Sequence, residues 1–198
     1  MPNKKVFLGG SRYLSRLNRD VMRRLDNIVN KGLMVIVGDA NGADRAIQSY
    51  LASKKYERVE VFCIVGGCRN NVGNWPTREI EVAPASRRDF AYYSAKDRAM
   101  GEEADCALML WDGKSRGTLA NIRDLVGQAK PVVVYVAPNK AFVTLREPAD
   151  LTMLEDQFNA NLFEKPTTGR SAYQKAMSLK GKIHLDIDLD SSRERRRT

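Results

Sequence analysis

Leu33-Met34-Val35-Ile36-Val37-Gly38-Asp39-Ala40-Asn41-Gly42-Ala43-Asp44 runs from an unbroken apolar stretch into a turn of small residues. Ala43, Ala46, Ile47, Tyr50 and Leu51 then recur at helical spacing. A strand that is apolar at every position, not at alternate ones, is covered on both faces, which is the state of a strand in a parallel sheet. The same pattern repeats on either side. Lys4-Lys5-Val6-Phe7-Leu8 reads as a strand stopping at Gly9-Gly10, and Leu17, Val21, Leu25, Ile28 and Val29 as the next helix, closed by Gly32. Val59 to Ile64 is a third strand, Cys106-Ala107-Leu108-Met109-Leu110-Trp111 a fourth and Pro131 to Val136 a fifth. Between the last two, Leu119, Ile122, Leu125 and Val126 give a helix its apolar face. Strands alternating with helices predict an α/β fold, a Rossmann-like doubly wound parallel sheet.

Two stretches depart from this rhythm. Val65 to Arg88 is rich in Gly, Asn and Arg and too long for a simple connection, which predicts a functional loop or an irregular excursion before a helix over Asp89–Glu103. After Pro138 the pattern degrades. Ala141–Leu145 reads as an edge strand, Ala149–Leu162 as a helix and Ile183–Ile187 as an alternating strand. The expected organisation is a Rossmann-like domain over 1–138, a C-terminal α/β extension over 139–190 and a basic, disordered tail over 191–198.

The chain has 198 residues, 43% of them hydrophobic and 29% charged, which is ordinary globular composition. No apolar run approaches the ~20 residues of a membrane span, and the apolar stretch near the start is too short for a secretory signal. Cys63, Cys68 and Cys106 cannot all pair within one chain, and no feature points to an oxidising compartment, so the expected location is cytoplasmic. Cys63 and Cys68 lack the second ligand pair of a zinc site, and no metal or cofactor is expected. His184, the only histidine, sits in the extension among alternating Ile183, Leu185 and Ile187 and reads as a strand surface residue more than as a base. The net charge of +9 invites a polyanionic partner. Much of it is diluted: the tail carries Arg193, Arg195, Arg196 and Arg197, and Arg16, Arg19, Arg23 and Arg24 read as a solvated helix face.

Three strand ends carry turns suited to a ligand: Gly9-Gly10-Ser11-Arg12, Gly38 to Asp44, and Gly113-Lys114-Ser115-Arg116-Gly117-Thr118. In a parallel sheet all three lie at the carboxyl edge, each opening a helix whose N–H groups and positive dipole end suit a phosphate. Gly9, Gly10, Gly38, Ala40, Gly42, Ala43, Gly113 and Gly117 allow the backbone near a ligand, and Ser11, Ser115 and Thr118 supply hydroxyls. Arg12 supplies a cation, Trp111 a ring for stacking on a base, and Thr118 a cap for its helix. None of the turns matches G-x-G-x-x-G or Walker A, so nicotinamide chemistry and P-loop hydrolysis are unsupported.

Read together, these motifs resemble the SLOG superfamily, the Rossmann-like group that includes the SMF/DprA proteins and the LOG-type phosphoribohydrolases. Gly9-Gly10-Ser11-Arg12 resembles its G-S-R, and Gly38 to Asp44 its G-x-A-x-G-A-D. Lys96-Asp97-Arg98-Ala99-Met100 is similar to its R-N/K-x-x-M, Ala104 to Leu110 to its A-D-x-hydrophobic strand, and Gly117-Thr118 to its G-T. The match runs from Val6 to about Val136, about two-thirds of the chain, and looks most like the YspA/YpsA-like branch. The resemblance implies a nucleotide or nucleotide derivative at the sheet edge, bound by a sensor or sequestering module, and it implies dimers. It also implies two alternatives: a nucleotide N-glycosidase, or a DprA-like binder of single-stranded nucleic acid. In the LOG enzymes an Arg and a Glu cleave the glycosidic bond; this chain has Lys96 and Asn121 at those positions. Lys keeps the charge without the guanidinium fork, and an amide cannot act as a base. Asp39, Asp44 and Asp112 are the carboxylates that could replace the missing Glu, the competing reading being a helix-dipole partner or turn residue at each.

Overall fold

In the computed structural model, residues 4–82 and 90–163 are described. The element order is β1 (Lys5–Gly10), α1 (Arg19–Asn30), β2 (Met34–Gly38), α2 (Ala43–Ser53), β3 (Val59–Ile64), β4 (Thr77–Ile80), α3 (Phe90–Glu103), β5 (Cys106–Trp111), α4 (Arg116–Gly127), β6 (Val132–Val136), β7 (Ala141–Leu145) and α5 (Pro148–Phe163). The strands form one seven-stranded sheet in the order β4-β3-β2-β1-β5-β6-β7. Every neighbouring pair is parallel except β6 and β7. This is the expected α/β, Rossmann-like sheet.

The strand order reverses between β1 and β5. From β1 the chain winds through β2 to β4 on one side, then crosses back to β5 and continues outward to β7. Right-handed crossovers then put α1 and α2 on one face and α3 and α4 on the other. The contacts agree: Tyr50 of α2 donates to Asp26 of α1 at 2.8 Å, and α3 packs against α4. The core is the continuous apolar strand set, with Leu8, Val37, Phe62, Met109 and Val134 among its fully enclosed side chains. At such a reversal, β1 and β5 diverge beyond their carboxyl ends into helices on opposite faces and leave a crevice.

Several boundaries differ from the sequence reading. β1 continues through both glycines to Gly10, because a residue without a side chain fits beside the Leu110 carbonyl, which a Cβ would overlap. α1 begins at Arg19, where Asn18 caps it by accepting from Val21 N at 2.8 Å. Ser115, not Thr118, caps α4, accepting from the Thr118 N–H. The long Gly- and Asn-rich segment contains a strand that went unforeseen, β4, paired in parallel with β3.

That segment is also stapled to the sheet. Cys63 and Cys68 form a disulfide across Gly66 and Gly67, whose positive φ angles fold the chain back and bring the two Cα atoms within 5.1 Å. Two of the three cysteines are thus paired, and Cys106 is buried and free. Asn71 holds Trp75 by bonding both its N–H and its carbonyl, and the indole N–H reaches Tyr56 O at 2.8 Å.

The chain divides into two compact units, Met1–Glu155 and Asp156–Thr198. Of the second, only residues 156–163 of α5 are described. The expected strand around His184 and the tail from 191 lie outside the described residues. Among the described residues, no helix is long and apolar enough to cross a membrane.

Candidate functional site

A cleft of about 350 Å³ opens where β1 and β5 diverge, within the range of small-ligand pockets. All three turns contribute to it: Gly9, Gly10 and Arg12 from the first, Ala40 and Asp44 from the second, Ser115, Gly117 and Thr118 from the third. α3 supplies Lys96 and Asp97, and α4 supplies Asn121. The β3–β4 segment adds Arg69, which the sequence reading did not single out.

The turns are locked to one another. Ser11 donates from Oγ to Asp112 Oδ2 at 2.9 Å, and its carbonyl accepts from Ala43 N at 3.1 Å, so the first turn holds the other two. Gly42 has φ +82°, and a Cβ there would overlap the Arg12 backbone. Ala43 begins α2 directly behind that contact. Gly113, at φ +79°, completes the third turn.

The three candidate aspartates have different tasks. Asp112 accepts from the N–H groups of Lys114 and Ser115 at 3.1 and 2.7 Å and from Ser11 Oγ. Burial pushes its pKa up, but these donors outweigh it and hold the carboxyl below its ordinary value. Asp39 is buried beneath Arg69, which donates from Nε at 3.0 Å, Nη2 at 2.6 Å and its backbone N–H at 3.0 Å. Its burial too is outweighed, by the Arg69 bonds, and its pKa is lowered. Both carboxylates therefore hold loops in place, the turn-residue role that competed with their reading as candidate catalysts.

Asp44 is different. It is 6% exposed and lines the cleft; Oδ2 accepts from Ala40 N at 3.2 Å, while Oδ1 has no hydrogen-bond partner among the described residues. Burial, partly offset by the Lys96 ammonium and reinforced by Asp97, raises its pKa to about 7. Its neighbourhood explains Gly38: a Cβ there would overlap Asp44 Oδ2 and stand 2.8 Å from Lys96 Nζ.

Lys96 is 3% exposed. Its Nζ donates to Asp97 Oδ1 at 2.6 Å and lies 3.9 Å from Asp39 Oδ1. Burial works against its charge, but Asp97, Asp44 and Asp39 prevail and raise its pKa, so it is an ammonium. Asn121 Nδ2 donates to Asp97 Oδ2 at 3.1 Å, so Asp97 joins α3 to α4 through Oδ2 while its Oδ1 holds Lys96. Asp97 stood inside a quoted motif and was passed over; its place one residue after Lys96 was the available signal.

Trp111 does not face the cleft. It is 3% exposed at the end of a strand enclosed along its whole length, and its indole N–H donates to Ser115 O at 3.2 Å. It supports the third turn from below, which corrects its reading as a stacking surface.

The cleft thus has two chemical characters. At the start of α4, Ser115 caps the Thr118 N–H and its carbonyl takes Leu119 N, which leaves the Arg116 and Gly117 N–H groups at the open helix end. This end suits an anion, and Arg12, whose backbone lies against Gly42, adds a cation to the lining of the same cleft. At the floor, Asp44, Lys96 and Asp97 offer acceptors and an ammonium.

No family model matches the chain, and no curated protein matches it. Among solved structures it is similar to DNA processing protein A from Helicobacter pylori, reported with a single-stranded DNA binding mode, at TM-score 0.53 and 14% identity over 90% of this chain and 81% of that one. DNA processing protein A (DprA) from Streptococcus pneumoniae aligns at TM-score 0.44 and 14% identity, over 66% of this chain and 50% of that one. The likeness is one of fold.

Proposed function

We propose that the chain is a SLOG-type module, of the YspA/YpsA-like branch, that binds a nucleotide or nucleotide derivative in this cleft as a sensor or sequestering protein. One observation carries the reading: an open helix N-terminus, an arginine and a carboxyl group with one oxygen open to the cleft converge on one pocket at the switch point of a doubly wound sheet. An anion is stabilised by the N–H groups and dipole of α4 and by Arg12, while hydrogen-bond donors on the rest of the ligand meet the floor. The dimer that the motif resemblance implies belongs to the same proposal. Native mass spectrometry of the purified protein, followed by titration with the common nucleotides, tests it. A co-purifying nucleotide, or micromolar binding lost on Arg12→Ala, supports the reading; no binding by any nucleotide overturns it.

A second reading is a binder of single-stranded nucleic acid. The fold shared with DNA processing protein A and the net charge of +9 favour it. Salt separates the two readings: strand affinity falls steeply with salt as counterions are released, and mononucleotide affinity falls far less.

A further inference from the structure

Asp44 Oδ1 accepts no hydrogen bond from the described residues and is not sealed off from the cleft. The side chain is more than nine-tenths buried, its Oδ2 is bound to the Ala40 N–H, and its other oxygen looks onto the cleft. In its ionised form this group repels a phosphate, and its open oxygen accepts from a donor. The anionic part of a ligand therefore belongs at the α4 end, and the group reaching Asp44 must carry an O–H or N–H. Lys96 Nζ stands close to the same carboxyl group: it and Asp44 Oδ2 both crowd the point where a Gly38 Cβ would be, while Oδ1 lies on the Gly9 side, 3.6 Å from where a Cβ of that residue would stand. An acceptor and a donor side by side complement vicinal hydroxyls, each of which can give and take one hydrogen bond.

We propose that Asp44, with Lys96 beside it, receives the ribose hydroxyls of the ligand, so that the cleft selects ribonucleotides over nucleotides without the 2′ and 3′ hydroxyls. This rests on the nucleotide reading above, and it decides the ligand's polarity: phosphate at the Gly117 end of the cleft, sugar edge on the floor. A site built around a buried acceptor penalises a ligand that lacks the matching donor, because the acceptor loses water and gains nothing. Selection for ribose also disfavours DNA as the natural occupant.

The test is calorimetric titration of the wild-type protein with the four ribonucleoside 5′-monophosphates and their 2′,3′-dideoxy counterparts. The expected result is at least tenfold weaker binding of the dideoxy form of whichever nucleotide binds, with the ratio falling close to one in Asp44→Ala. Asp44→Asn, which keeps the shape of the side chain, is expected to narrow the ratio and serves if Asp44→Ala does not fold. Equal affinity of both forms for the wild-type protein overturns this proposal and leaves the nucleotide reading standing. A large ratio that survives both substitutions also overturns it, since the hydroxyls are then read elsewhere. Failure of all eight compounds to bind removes the nucleotide reading and this proposal with it.

Discussion

Arg69 grips Asp39 with two guanidinium nitrogens and its own backbone N–H, tying the β3–β4 segment to the end of β2. Asp39 is buried, whereas the Arg69 side chain is 40% exposed, so solvent screens part of the attraction. Arg69→Ala leaves a buried carboxylate short of donors and is expected to cost roughly 1–3 kcal/mol. Arg69→Lys recovers only part of this, because an ammonium cannot make the two-pronged contact. Urea denaturation of the three proteins at pH 7 checks the order. Because the Asp39 pKa is depressed on folding, this stabilisation is present at neutral pH and lost as pH falls below the ordinary carboxylate range.

Asp44 has the opposite linkage. Its pKa rises on folding from the usual 3.8 to about 7, so between those values the folded protein holds a proton that the unfolded chain has released. The Asp44 contribution to stability therefore declines as pH rises from about 4 to 7. Asp44→Asn is expected to flatten that part of the profile and to be relatively more stable at pH 8 than at pH 4. Unfolding midpoints of both proteins across pH 4–8 would show it; parallel profiles would refute it.

Two glycines serve as a contrast. Gly10→Ala drives a methyl group into the Leu110 carbonyl at the centre of the sheet and is expected to cost at least 2 kcal/mol. Gly127 at the end of α4 has open space around its Cβ position and no positive φ, so Gly127→Ala is expected to gain up to about 1 kcal/mol. Thermal melts measure both.

Asn121 shows why restoring a family residue by sequence alone misleads. In this chain it donates to Asp97, which in turn accepts from Lys96. Asn121→Glu places a second carboxylate where that donor was, at a contact now 3.1 Å long. The expected outcome is a lower melting temperature and no detectable release of free base from nucleoside monophosphates, by chromatography. The wild-type protein is likewise expected to release negligible base. Robust turnover by either would point to Asp44 acting as an acid or base.

The Cys63–Cys68 disulfide closes a ring immediately before Arg69. Cross-linking so short a loop is worth roughly 2 kcal/mol on chain-entropy grounds. Cys63→Ser, or treatment with a dithiol, is expected to lower the denaturation midpoint by that order and to leave the far-UV spectrum unchanged.

Much of the sheet was legible because parallel strands advertise themselves: β2, β5 and β6 are apolar at nearly every position. β4 was not, since Thr77-Arg78-Glu79-Ile80 is a polar edge strand recognisable only from its pairing with β3. The convergence of the three turns followed from strand polarity. What each side chain does there did not follow. Asp39, Asp44 and Asp112 are equivalent as letters; only the arrival of Arg69, some 30 residues on, and of Ser11 from another strand separates the two that are occupied from the one that is open. Trp111 misled for a related reason: standing at a strand's end says nothing about which way a ring turns.

The passage from β3 to β4 joins two adjacent parallel strands through residues 65–76 without a helix. It is anchored at its entrance by a covalent ring, in its middle by Arg69 and Asn70, and at its exit by Trp75. For protein engineering it is an interchangeable cassette. Val65 and Gly66 are exposed inside the covalent ring and Val72 between the later anchors, so side-chain exchanges there would change the segment's outer surface and leave its backbone ties to the sheet and to Gln48 in place.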